Sequence, residues 1–145
     1  MRWIMFVIGG VVLLLVVIAA VGATLPREHR ASRTLRLGRP PGDVWPVLTH
    51  VAAGSSLPVD VLESQPPSRL VTRVSASERQ FGGTWTIAIA PDGPGSVLTV
   101  TEDGWVANPV FRVLSRYVIG HHATMDAMLT SVAKQLDAPA ALSGS

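Results

Sequence analysis

Two clusters of polar side chains in this 145-residue chain have the types and spacing that metal or acid–base chemistry would use. The first is His121-His122 with Asp126. Adjacent residues on a helix point about 100° apart, so the two histidines cannot chelate one ion from a single face. His122 and Asp126, at i and i+4, make a two-ligand pair at most, and a helical ion pair or hydrogen bond satisfies the same spacing. A third ligand is not evident, so no metal is expected. The second cluster is Glu102-Asp103, at the end of an alternating segment. Alternation sends the two acids to opposite faces, unlike a general acid/base pair. Glu102 shares its face with Leu98 and Val100. If that face borders a cavity, Glu102 is the one acid placed to act on a bound ligand. The alternative is a structural bond to the helix start at Asn108, to Arg112 or to Arg116. Asp103-Gly104 reads as a turn or bulge.

Other routes to chemistry lack their residues. No Gly-x-Ser-x-Gly elbow, no Ser-x-x-Lys pattern and no phosphate-cradling glycine loop occurs. Cysteine is absent, which removes disulfides, thiolate metal sites and cysteine nucleophiles and fits a reducing compartment. No cofactor is implied. With one lysine and no nucleic-acid-binding motif, nucleic acid is not an expected partner.

The elements that must position these residues follow from local pattern. Thr34-Leu35-Arg36-Leu37 alternates as a short strand. Pro40-Pro41-Gly42-Asp43 leads into a short amphipathic helix carrying Val44, Trp45, Val47, Leu48 and Val51, with Pro46 in its first turn. Ala53-Gly54-Ser55-Ser56 is a loop. Strands follow at 59–63, 69–74, 83–89 and 96–102, with Pro91-Asp92-Gly93-Pro94-Gly95 turning the last pair into an antiparallel hairpin. Asn108 and Pro109 then start a helix as N-cap and first residue. Over residues 110–136 apolar side chains recur at spacings of three, four and seven, which predicts one long helix with a single stripe. Gly120 interrupts that stripe. Residues 138–145 read as a disordered tail.

Ahead of all this, residues 3–25 form 23 consecutive positions without a charged side chain. About 20 apolar residues cross a hydrocarbon core, so this segment predicts a transmembrane anchor over residues 1–26. A cleaved secretory signal is the alternative, with Arg2 as its basic end and Val21-Gly22-Ala23 near a cut. Its apolar run exceeds the roughly 7 to 15 residues usual for such signals, which favours the anchor. Arg27, Arg30, Arg33, Arg36 and Arg39 follow the span, so the positive-inside rule places the rest of the chain in the cytoplasm, single-pass in the inner or plasma membrane. Arg33 and Arg36 are expected to face solvent. The formal charge of +2 and pI near 9.9 owe much to these arginines and argue for the bilayer as partner. Residues 27–32 read as a basic linker and 33–137 as one α+β domain.

The residues of that domain resemble a known family. Its carriers are Pro40-Pro41-Gly42-Asp43-Val44-Trp45, Pro66-Pro67-Ser68-Arg69-Leu70-Val71-Thr72-Arg73, Phe81-Gly82-Gly83-Thr84-Trp85 and Thr101-Glu102-Asp103-Gly104. Asn108-Pro109-Val110-Phe111-Arg112, Ser115-Arg116 and Gly120-His121 complete the set. Residues 32–137 are similar to the polyketide cyclase/dehydrase and lipid-transport superfamily, in the bacterial branch with an N-terminal membrane helix. The resemblance implies the START-like helix-grip fold, an antiparallel sheet wrapped around a long C-terminal helix, with a ligand cavity between them. The chain departs from the pattern after the first helix: residues 49–57 stand where the family has two further strands. About five strands are then expected, with an open-sided or smaller cavity and an exposed edge within residues 57–74.

Trp85, Trp105, Phe111 and Tyr117 are the large aromatics expected between sheet and helix, as core or as ligand walls. Three functions remain open. One is non-catalytic binding of a hydrophobic small molecule or lipid by Trp85, Ile87, Glu102, Trp105, Phe111 and Met125. Another is a protein partner or second copy taken up at the sheet edge. The last is a cyclase- or dehydratase-like reaction using Glu102.

Overall fold

The computed structural model describes residues 1–54, 58–74, 80–120 and 122–144. His121 and the segment Ser55-Ser56-Leu57 lie outside the described residues. The chain is α+β: an N-terminal apolar helix, a six-stranded antiparallel sheet and further helices packed on one face of it.

Helix α1 spans Arg2–Thr24 and is long and apolar enough to cross a membrane. Strand β1 follows at Glu28–Leu37, so the stretch read as a basic linker is already paired with the sheet. Helix α2, Pro41–Ala53, begins earlier than its Asp43 signal suggests, because Pro41 takes the first helical position. Pro46 therefore sits in the second turn rather than the first. Strands β2 (Val59–Gln65), β3 (Arg69–Val74), β4 (Phe81–Asp92) and β5 (Gly95–Val106) form a meander, and β1 adds antiparallel to β5. Gly93 opens the two-residue β4–β5 loop at φ 57°, the left-handed value such hairpin turns take and a side chain resists.

β5 runs straight through Asp103-Gly104 to Val106, pairing Gly104 with His29 and Gly83, so no turn or bulge forms there. Within the stretch read as a tail, β6, Leu142–Ser143, pairs with β1, and Arg33 Nη1 donates to the Gly144 carbonyl at 3.0 Å. The sheet order is β2-β3-β4-β5-β1-β6, which leaves β2 at one edge with Val61 and Leu62 exposed.

The long helix expected over residues 110–136 is two helices. α3 covers Pro109–Leu114, a single π-helical turn covers Ser115–Ile119, and α4 covers Ala123–Gln135. Gly120, at φ 78°, donates its N–H to Ser115 O at 2.9 Å and ends the first helix. The stripe is thereby divided. Met125, Leu129 and Val132 of α4 join Leu35, Val44, Leu48, Ile87, Leu98 and Val100 in the core, where all are fully buried. Phe111, Leu114, Tyr117 and Val118 stay exposed.

Candidate functional site

Antiparallel register places one row of side chains across the concave face. Thr72 of β3 pairs with Trp85 of β4, Trp85 with Glu102 of β5, and Glu102 with Ala31 of β1. The next row toward the open end is Gly83, Gly104 and His29. At both glycines neighbouring atoms fill the space a side chain would need, the Asp103 and Gly104 backbone at Gly83 and the His29 ring at Gly104. A Cβ on Gly104 would meet His29 Cε1 at 2.5 Å, so only glycine lets the imidazole lie across β5 toward Glu102. His29 Nε2 stands 3.8 Å from Glu102 Oε1, both side chains about one-fifth exposed.

Two clefts meet over this floor. The narrower, about 430 Å³, lies between the sheet, the end of α2 and α4, with Trp85, Ile87, Thr72 and Glu102 beneath and Thr124, Ala127, Met128 and Ser131 above. The wider, about 510 Å³, is walled by His29, Glu102, Phe81, Val106, Phe111 and Thr124, and Trp105 also touches it. Phe81, Gly82, Glu102 and Thr124 border both, so Glu102 sits at their junction. Both volumes fall in the roughly 300 to 1,000 Å³ range of small-molecule sites.

The structure distributes the expected site residues unevenly. Trp85, Ile87 and Glu102 line the narrower cleft, and Glu102, Trp105 and Phe111 the wider. Met125 lines neither: it is fully buried beneath α4, and Met128, one turn position away, faces the opening. Trp105 does not stand between sheet and helix. It alternates away from Glu102, and its indole lies over Gly82, where the ring comes within 3.0 Å of a would-be Cβ. Tyr117 is exposed rather than enclosed.

Two of the three expected structural partners of Glu102, Asn108 and Arg112, are engaged elsewhere. The Asn108 side-chain Oδ1 accepts from the N–H groups of Val110 and Phe111 as the α3 cap, and the Arg112 guanidinium donates only to main-chain carbonyls. His29 takes their place, a residue that sequence pattern did not single out because the pairing runs between strands 73 residues apart. Asp126 is not left to His122. Arg33 Nε donates to Asp126 Oδ1 at 2.9 Å, joining β1 to α4. Arg33 therefore lies on the concave face and is half-buried, not solvent-facing, whereas Arg30 and Arg36 make exposed pairs with Asp103 and Asp92 on the outer face. Among the described residues no group of three or more His, Asp or Glu side chains is placed to hold a metal ion.

Sheet and helices together define an α+β scaffold, and this fold recurs in solved bacterial proteins. The chain superposes on protein MLL2253 from Mesorhizobium loti with a TM-score of 0.59 at 14% identity, over 75% of this chain and 97% of that one. A conserved protein from Geobacillus kaustophilus gives 0.60 at 14% identity, over 75% and 95%. CalU16 from Micromonospora echinospora gives 0.51 at 14% identity, over 79% and 83%. Identities this low establish a shared fold. No protein-family model and no curated protein matches the sequence.

Proposed function

We propose that this chain is a membrane-anchored domain of the START-like superfamily, facing the cytoplasm, which binds a hydrophobic small molecule or lipid without transforming it. The observation that carries this is the pair of joined clefts over the concave sheet, apolar-walled and meeting at one carboxylate. An amphiphile fits such a space, its apolar part against Trp85, Ile87 and Met128 and its polar end at Glu102. The absence of the two strands that the resemblance leads one to expect is consistent with clefts open at the side.

The test is titration of a pyrene-labelled fatty acid onto the full chain in nanodiscs, against empty nanodiscs. Saturable uptake is expected, and Ala127→Trp, which fills the narrower cleft from an exposed helix position, should abolish it while the domain melts normally. Uptake no greater than in empty discs, or unaffected by Ala127→Trp, refutes the proposal. Self-association through β2, lost on charging Val61 or Leu62, would then favour the interaction reading.

A second reading is supported by the His29–Glu102 pair, which sets an imidazole of the wider cleft beside the carboxyl group at which the clefts meet. In that reading the two act as acid and base in a cyclase- or dehydratase-like step. Glu102→Gln keeps the shape and removes the charge, so uptake retained with turnover lost would select catalysis.

A further inference from the structure

The exposed apolar residues that follow the Asn108 cap are placed by the way α3 meets α1. Gly22 lies so close to Pro109 that a Cβ would collide with the Pro109 carbonyl, so the two helices touch backbone to backbone. Arg112 is buried directly behind this contact. Its Nη1 donates to Gly22 O at 3.0 Å and to Leu25 O at 3.1 Å, while Nε and Nη2 hold Val106 O at 2.9 Å and Ala107 O at 2.7 Å. The last carbonyls of a helix lack partners within it and carry its negative dipole end, which suits a guanidinium. The anchor is thus bolted to the domain rather than hung from it.

This fixes a height. Gly22 is two residues from the end of α1 at Thr24, about 3 Å along the axis at 1.5 Å per residue. With α1 across a bilayer, α3 and the π turn after it lie at the membrane boundary. The residues they expose there are Phe111 (53%), Leu114 (38%), Tyr117 (66%) and Val118 (72%). Arg116 lies beside Leu25 and Pro26, just past the end of the span. Aromatic rings with an adjacent arginine suit the interface, where apolar bodies enter the acyl boundary and cations meet lipid phosphate.

We infer that α3 and its π turn form a second membrane contact, a wedge of Phe111, Leu114, Tyr117 and Val118 seated in the lipid interface and held at that depth by Arg112 on the end of α1. The inference rests on the proposed anchor. It gives the clefts a consequence: Phe111 is also a wall of the wider one, whose rim therefore opens at the lipid surface.

The chain contains no cysteine, so single labels can be placed cleanly. An environment-sensitive dye on Val118→Cys in the full chain, reconstituted into phosphatidylcholine–phosphatidylglycerol vesicles, should lose most of its emission to lipids doxyl-labelled near the headgroup. The same dye on Val61→Cys, on the far sheet edge, should keep it. Quenching on Val12→Cys, near the midpoint of α1, by lipids doxyl-labelled near the acyl-chain end reports the anchor independently. Quenching at Val12→Cys with none at Val118→Cys overturns the wedge and leaves the anchor standing. No quenching at either position overturns both.

Discussion

Leu129→Ala tests whether α4 alone carries the core that the whole C-terminal stripe would be expected to share. Leu129 is fully buried, among the core residues of α2, α4 and the concave sheet. Truncating such a leucine removes transferred hydrocarbon and leaves a cavity, together about 2 to 5 kcal/mol. A domain of this size loses about 4 °C of Tm per kcal/mol, so a drop of roughly 8 to 20 °C is expected. Phe111, on the same sequence stripe, is more than half exposed. Fully burying a phenylalanine contributes about 1.5 to 3 kcal/mol, so its truncation should cost about 1 kcal/mol or less in detergent, a shift near 4 °C. The measurement is near-ultraviolet circular dichroism of the full chain on heating, since tryptophan signals follow domain packing and the far-ultraviolet band is shared with α1. Equal shifts for the two variants would refute the division of the stripe. An unchanged Tm for Leu129→Ala would remove α4 from the core altogether.

Ser96 is fully buried and donates to Arg39 O at 2.8 Å, so Ser96→Ala should lower stability by about 1 kcal/mol by leaving that carbonyl unpaired, read by the same melt. Gly104→Ala should barely move the Tm, because the added methyl meets only side-chain ends, the His29 ring and Glu102 Oε1, yet it should change pyrene-lipid affinity by disturbing the His29–Glu102 pair. A fluorescent reporter fused after Ser145 should fold and glow in the cytoplasm, while a periplasmic reporter there should stay silent; the reverse pattern would place the domain and its ligand outside the cell. Gly22→Val should prise α1 from α3, since its side chain meets the Pro109 carbonyl, and protease should then reach the 25–27 connection faster than in the parent chain.

Much of the framework was legible because it is written in local pattern. An uncharged run of span length, the Asn108-Pro109 helix start, the Pro-Asp-Gly-Pro-Gly hairpin and strand alternation each depend on neighbours within a few residues, so they specify α1, the start of α3 and the β4–β5 pair without reference to the rest of the chain. What lay beyond reach depends on residues far apart in sequence. The apolar stripe over residues 110–136 has one periodicity, but packing divides it: α4 meets the concave sheet while α3 meets the end of α1, and Gly120 at φ 78° lets the chain turn between them. Periodicity identifies an apolar face and not the surface that will cover it. For the same reason Glu102 could be placed on the inner face by alternation, yet its neighbour His29 emerged only when β1 paired with β5 across 73 residues and Gly104 left space for the ring. In the sequence Arg33 read as solvent-facing and Arg112 as one of three structural partners open to Glu102. The tertiary structure pairs the half-buried Arg33 with Asp126 and buries Arg112 against four carbonyls, because a guanidinium's long stem and planar fork can satisfy acceptors that only folding assembles.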